Sequence, residues 1–202
     1  MKIETLMTAG HQIALYAMRA PYQSWIKSDT VAASEAGPLT VGPNDRDLSQ
    51  SLQDAGPEHC KHLRLIQVWV RLQAPRYWLM QFDTYRMGVE KVSTSTMHTL
   101  MRRHLTADDF AGPVLPGVVD TLNQMIDMYK KTDGEKRRII WGRIICNLPQ
   151  SYIQERVVIM SYAAIRAMYH QRKGHKLGEW AEFRRWAQTL PCSWMITDGD
   201  EE

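Results

Sequence analysis

Cysteine is scarce in this chain of 202 residues, and what there is does not pair: Cys60, Cys146 and Cys192 are scattered, odd in number and form no CxxC motif. A disulfide framework and a zinc knuckle are therefore excluded. Cys146 lies in the apolar run IIWGRIICNLP and is expected to be a small buried residue. No visible His–Cys pairing supports a cysteine nucleophile. Long apolar runs are also missing: none approaches the roughly 18 residues of a membrane span. The opening MKIETLMTAGHQ has no continuous apolar segment of the signal-peptide kind, so the cytoplasm is the expected compartment. Neither GxGxxG nor GxxxxGK[ST] occurs, which leaves Rossmann and P-loop nucleotide sites without support. His59, His62, His98, His104, His170 and His175 supply no HExxH or close ligand set, so no metal site is expected. Charge of one sign is in short supply as well. The formal net charge of +3 can help attract a phosphate-bearing ligand locally but is too slight to point to a nucleic-acid polymer.

What is present reads as an ordinary globular chain, with 44% apolar and 23% charged residues. Its length fits a single domain over residues 1–202. A short strand and then a helix ending near Pro21 are predicted for the first 27 residues. Residues 28–46, rich in Gly, Pro and small polar side chains, predict a flexible loop. A helix follows from an N-cap at Asn44 or Asp45 to about Ala55, with Leu48 and Leu52 at helical spacing. The β-branched, roughly alternating stretch Leu65–Leu72 predicts a strand. RYWLMQFDTYRMG predicts a helix, with Trp78, Leu79, Phe82 and Tyr85 at three- and four-residue steps.

Further on, Thr106–Phe110 reads as a capped turn, and helices are predicted over Val118–Lys131, Arg137–Ile145, Glu155–Lys173 (the longest) and about Gly178–Thr189. Strands are few and not interleaved with helices. The fold class is therefore α+β, mainly helical with a small mixed or antiparallel sheet.

Three constellations carry candidate chemistry. Arg76, Gln81 and Arg86 are five residues apart, so on one helix each step turns the side chain by about 140° from the last. They converge only if the helix ends near Arg86. A glutamine offers donor and acceptor to a pyrimidine edge, and an arginine fork suits phosphate; the same residues can equally satisfy one another or nearby backbone. The run Ser93-Thr94-Ser95-Thr96 can cradle a phosphate or cap a helix starting near Met97. Arg172 ends the stripe Val158, Ser161, Ile165, Met168 along the longest predicted helix. There it is either an anion-binding residue at a pocket edge or a last-turn arginine favoured by the helix dipole and reaching to water.

Taken together, these features resemble the flavin-dependent thymidylate synthase family. Its pattern of Arg, Gln five residues on and Arg five further on is met by Arg76, Gln81 and Arg86, and a hydroxyl-bearing loop follows. Leu148-Pro149, a long helix closing in Arg172, and Glu182-Phe183-Arg184 in a final helix match in order, as does AMRAPYQSW near the start. The chain departs from the family at its Arg-His-Arg triplet, which reads Thr84-Tyr85-Arg86, and at the Asn-x-Arg of the long helix, which reads Ser161-Tyr162-Ala163. Arg143 lies two residues earlier than the arginine expected before Leu-Pro.

The resemblance implies a homotetramer with FAD at subunit junctions. It also implies methylene transfer from methylenetetrahydrofolate to dUMP, with NADPH reducing the flavin. Gln81 and Arg172 would hold the nucleotide, and Arg86 with Ser93–Ser95 would contact its phosphate or the flavin. Tyr85, Met87 and Ser161 would lie at the flavin, and no catalytic side chain is named. Two other classes stay open: a non-catalytic nucleotide-binding or regulatory module that keeps the fold, and a purely structural helical scaffold.

Overall fold

A computed structural model describes residues 1–32 and 39–199. The chain runs β1 (Lys2–Ala9), α1 (His11–Ala17), β2 (Val31–Ala32), β3 (Leu39–Thr40), α2 (Pro43–Asp54), β4 (Gln67–Pro75), α3 (Arg76–Phe82), β5 (Val89–Ser93) and α4 (Thr96–Thr99). It continues through α5 (Val118–Lys131), α6 (Gly134–Cys146), β6 (Ile153–Ser161), α7 (Tyr162–Gln171), α8 (Gly178–Gln188) and α9 (Trp194–Thr197). The main sheet has the order β1-β4-β6-β5. The backbone bonds at the two ends of β4 (Tyr162 N–H to the Ile66 carbonyl, Arg76 N–H to the Tyr152 carbonyl) show that it runs antiparallel to β6. The bonds Ser161 to Gly88 and Thr94 to Glu155 give the same sense for β5 against β6. The predicted α+β class, helical with a small antiparallel sheet, is the architecture observed.

The chain forms two compact units. The first comprises Met1–Lys2, Leu72–Thr84 and Val92–Val157; the second comprises Ile3–Arg71, Tyr85–Lys91 and Val158–Glu202. In the first, α5 and α6 close over a core that includes Leu105, Phe110, Leu122, Ile126, Ile140 and Ile144. The amphipathic spacing of α5 places Leu122 and Ile126 inward at a four-residue step. In the second, α7 packs against α8 and α9, with Tyr162, Tyr169, Trp180 and Phe183 fully or almost fully buried.

Several expectations are corrected. The longest predicted helix does not begin at Glu155: Ile153–Ser161 is a strand, and the helix covers only Tyr162–Gln171. Val157, Val158 and Ile159 are β-branched, and pairing with β4 and β5 outweighs the apolar spacing that suggested a helix. The stripe from Val158 to Arg172 is therefore broken at Ser161. The helix from Arg76 stops at Phe82, and Val89–Ser93 is a strand. Cys146 is exposed at the end of α6, not buried. Of the predicted loop, residues 33–38 lie outside those described; on either side of them Val31–Ala32 pairs antiparallel with Leu39–Thr40, and Pro43 already opens α2.

The start of α2 is held by a buried carboxylate. Asp45 is fully buried and accepts from Arg19 Nε at 2.7 Å, Ser28 Oγ at 2.9 Å, and the backbone N–H groups of Asp29 and Thr30. Burial alone would raise its carboxyl pKa, but these donors outweigh it and hold it below the usual range. Asp29 returns the favour, accepting from the N–H groups of Asn44 and Asp45. Nearby in sequence, His62 Nε2 lies 3.0 Å from Ser49 Oγ, and burial lowers the imidazole pKa from 6.5 to about 4.

This histidine makes stability depend on pH. The unfolded chain takes up its proton near 6.5 and the folded site only near 4. Stability should therefore fall as the pH drops through that window, by up to roughly 3 kcal/mol. Denaturant melts from pH 7 to 4 should show this slope, and His62→Gln should flatten it even if that variant is less stable at pH 7.

Candidate functional site

The segment that follows α3 carries most of the candidate residues of the second unit, and α7 holds it at both ends. Ser161 is the N-cap of α7: its backbone is extended, and its hydroxyl accepts from the Ala164 N–H at 3.2 Å. Its own N–H donates to the Gly88 carbonyl at 2.8 Å. Gly88 has φ +69, and a Cβ there would collide with Ser161 Oγ. Glycine is required at this approach for its conformation and for its lack of a side chain.

At the other end, Arg172 is the C-cap of α7, its N–H bonded to the Met168 carbonyl. Its Nε donates to the Tyr85 hydroxyl at 2.9 Å, and the Tyr85 hydroxyl donates to Gln171 Oε1 at 3.0 Å. The guanidinium lies 4.7 Å from the centre of the Trp180 ring and 5.3 Å from that of Tyr85. The two rings meet edge-to-face at 6.1 Å, and Trp180 is fully buried. An arginine flanked by two aromatic faces keeps its charge without a carboxylate partner. Among the described residues no hydrogen bond or ion pair reaches its terminal nitrogens. Neither of the two expectations for Arg172 included this aromatic cage.

The other predicted residues fall as follows. Arg86 and Met87 are exposed, Met87 by 86%. The Arg86 guanidinium has no partner among the described residues. Ser161 is only 3% exposed and its hydroxyl is committed to the helix cap. In the first unit Gln81 lies in the last turn of α3 and its carbonyl accepts from the Thr84 hydroxyl. Ser93 ends β5 with its side chain exposed, and Ser95 is the N-cap residue of α4 without a side-chain cap bond. Thr94 between them is tied to β6, donating from N–H and hydroxyl to the Glu155 carbonyl.

The structure thus joins Tyr85 to Arg172 and Gly88 to Ser161. Gln81, Ser93 and Ser95 belong to the other compact unit.

Sequence reasoning missed Gln171, Trp180 and Gly88. Only Gly88 carried a signal, as a lone glycine before a β-branched stretch. The first unit also contains the ion pair Arg156–Asp83: Nη1 donates to Oδ1 at 2.6 Å and Nη2 to Oδ2 at 3.3 Å, with Arg156 nearly buried. A cavity of about 600 Å³ in that unit has Leu122, Met125 and Arg143 in its wall and contains none of the predicted site residues. Among the described residues no three His, Cys, Asp or Glu side chains cluster as metal ligands, and no helix is long and apolar enough to cross a membrane.

No protein-family model and no curated protein sequence matches the chain. Solved structures do. A crystal structure of the flavin-dependent thymidylate synthase ThyX from Helicobacter pylori, complexed with FAD and dUMP, is 16% identical, with a TM-score of 0.74 and all of both chains covered. A second ThyX structure from Helicobacter pylori, with FAD and dUMP, is 15% identical, with a TM-score of 0.73 and 98% of each chain covered. The chain has the flavin-dependent thymidylate synthase fold over its full length.

Gly88→Ala should cost roughly 2 kcal/mol of stability through its positive φ and the displaced Ser161 cap. In a Ser161→Ala background the same change should cost only about 1 kcal/mol, because the colliding hydroxyl is gone. Chemical melts of the four proteins measure both values.

Proposed function

We propose that this chain is a divergent flavin-dependent thymidylate synthase-like enzyme that binds FAD and a pyrimidine deoxynucleotide of the dUMP type. The observation that carries the reading is Arg172, an arginine caged by aromatic rings whose terminal nitrogens have no hydrogen-bond or ion-pair partner among the described residues. It stands in a fold whose solved members hold FAD and dUMP. In this reading Arg172 and Gln81 hold the nucleotide. Arg86, a second guanidinium without a partner among the described residues, meets a phosphate of the nucleotide or of the flavin, together with the Ser93 and Ser95 hydroxyls. Two arginine forks suit the phosphate-rich ligand pair. Tyr85, Met87 and Ser161 form the flavin side, Ser161 through the α7 N-terminus that it caps.

Bound FAD would supply the hydride for reductive methylation, with methylenetetrahydrofolate as carbon donor and NADPH as reductant. The protein's share is to orient the pyrimidine, neutralise its phosphate and keep water away. The reading carries with it a homotetramer in the cytoplasm.

A specific departure favours a second reading. Thr84-Tyr85 stands where the family has Arg-His, which removes one positive charge and one imidazole. A nucleotide-binding or regulatory module that keeps the fold without turnover accords with that loss.

A thermal-shift panel with FAD, dUMP and dCMP discriminates these. The enzyme reading expects yellow protein and a rise in melting temperature with FAD and with dUMP. A colourless protein stabilised by nucleotide alone supports the module, and no response to any of the three removes both. Arg172→Ala should weaken nucleotide binding by at least tenfold, about 1.4 kcal/mol, and unchanged affinity would reject Arg172 as a nucleotide ligand.

A further inference from the structure

We infer that Tyr85 is the positioning residue for Arg172, holding its Nε edge so that the terminal fork faces a ligand with two adjacent acceptor oxygens. The identity of the ligand rests on the nucleotide reading above; the contact itself does not. A phenol has a single proton, and Tyr85 spends it on Gln171 Oε1 at 3.0 Å. Toward Arg172 its oxygen is therefore an acceptor only, and the Nε–H donates to it at 2.9 Å. The sequence of donors runs in one direction, from Arg172 to Tyr85 to Gln171.

Three constraints then act on one planar group. The Tyr85 oxygen fixes the Nε edge. The Trp180 ring at 4.7 Å and the Tyr85 ring at 5.3 Å restrict rotation out of the plane. The α7 C-cap anchors the backbone from which the side chain springs. Four of the five guanidinium N–H groups sit on the terminal nitrogens; among the described residues they have no hydrogen-bond partner, and their geometry suits a planar, bidentate one. A preset fork loses less rotamer freedom on binding than a free arginine.

The residue doing this stands where the resembled family carries histidine. A buried carboxylate in the same place would neutralise the guanidinium, and phenylalanine would leave the Nε–H unpaired. The phenol orients the arginine and leaves its charge available to the ligand.

The test uses the full chain with Tyr85→Phe, Arg172→Lys and the double variant. In protein labelled with 15N-arginine, the Arg172 Nε–H resonance is identified by its loss in Arg172→Lys. Its hydrogen exchange should be slow in the wild type and about tenfold faster in Tyr85→Phe. Calorimetric titration with dUMP should show about tenfold weaker binding for Tyr85→Phe. The same change should have no further effect in the Arg172→Lys background, since lysine has no Nε–H to hold. Exchange that is already fast in the wild type, or losses that add in the double variant, would overturn the inference. If the wild type takes up no dUMP, the nucleotide reading fails while the Nε–H exchange still decides the positioning role. Should Tyr85→Phe fail to fold, Gln171→Leu replaces it; freeing the phenol proton there should weaken dUMP binding about threefold, and unchanged affinity would count against the inference.

Discussion

Helix α7 is braced at both ends by the same short segment, and the geometry of the candidate site depends on that brace. Gly88 receives the N–H of Ser161 at the start of the helix, and Tyr85 receives the Nε–H of Arg172 at its end. Shifting either end would pull the arginine out of its aromatic cage or the serine off its cap.

The second unit pairs this brace with buried polar groups whose charge is compensated locally. Asp45 gathers an arginine, a serine hydroxyl and two backbone donors, which orders residues 28–30 against the first turn of α2. His11 and Tyr162 stack edge-to-face, and the Tyr162 hydroxyl donates to the Pro191 carbonyl. Burial pushes the Tyr162 phenol well up and holds the His11 imidazole down, so both stay neutral near pH 7. Arg172 differs from these groups. It is half-exposed and paired with rings and a phenol, and among the described residues no carboxylate meets it. Arg156, by contrast, is paired with Asp83.

Much of the architecture was legible in the chain because it follows from local rules. The amphipathic period placed α5 at Val118–Lys131. Thr106–Phe110 read as a capped turn, and the structure has a Thr106–Asp109 capping box there. The β-branched alternation placed β4. The strand at Ile153–Ser161 was not legible, because Glu, Arg and Met within and beside it fit a helix equally well and only its neighbours in the sheet decide the matter. Leu39–Thr40 failed for a related reason: a two-residue strand has too short a period to read. Cys146 looked buried because its apolar neighbours were taken for one face, whereas the helical turn puts Ile144 inward and Cys146 out.

By itself, the sequence singled out candidate binding residues: a glutamine, two arginines and a hydroxyl-rich run at spacings that resemble a known nucleotide- and flavin-binding fold. The chain also carries no CxxC, HExxH, GxGxxG or GxxxxGK[ST] motif to set beside them. The tertiary structure alone decided how those groups are used. It spent the Ser161 hydroxyl on a helix cap and left Arg86 open to solvent. It also brought Tyr85, Gln171 and Trp180 around Arg172 from positions as far as 95 residues apart. No periodicity in the chain encodes that meeting, because it arises from the antiparallel pairing of β5 with β6 and the turn from β6 into α7.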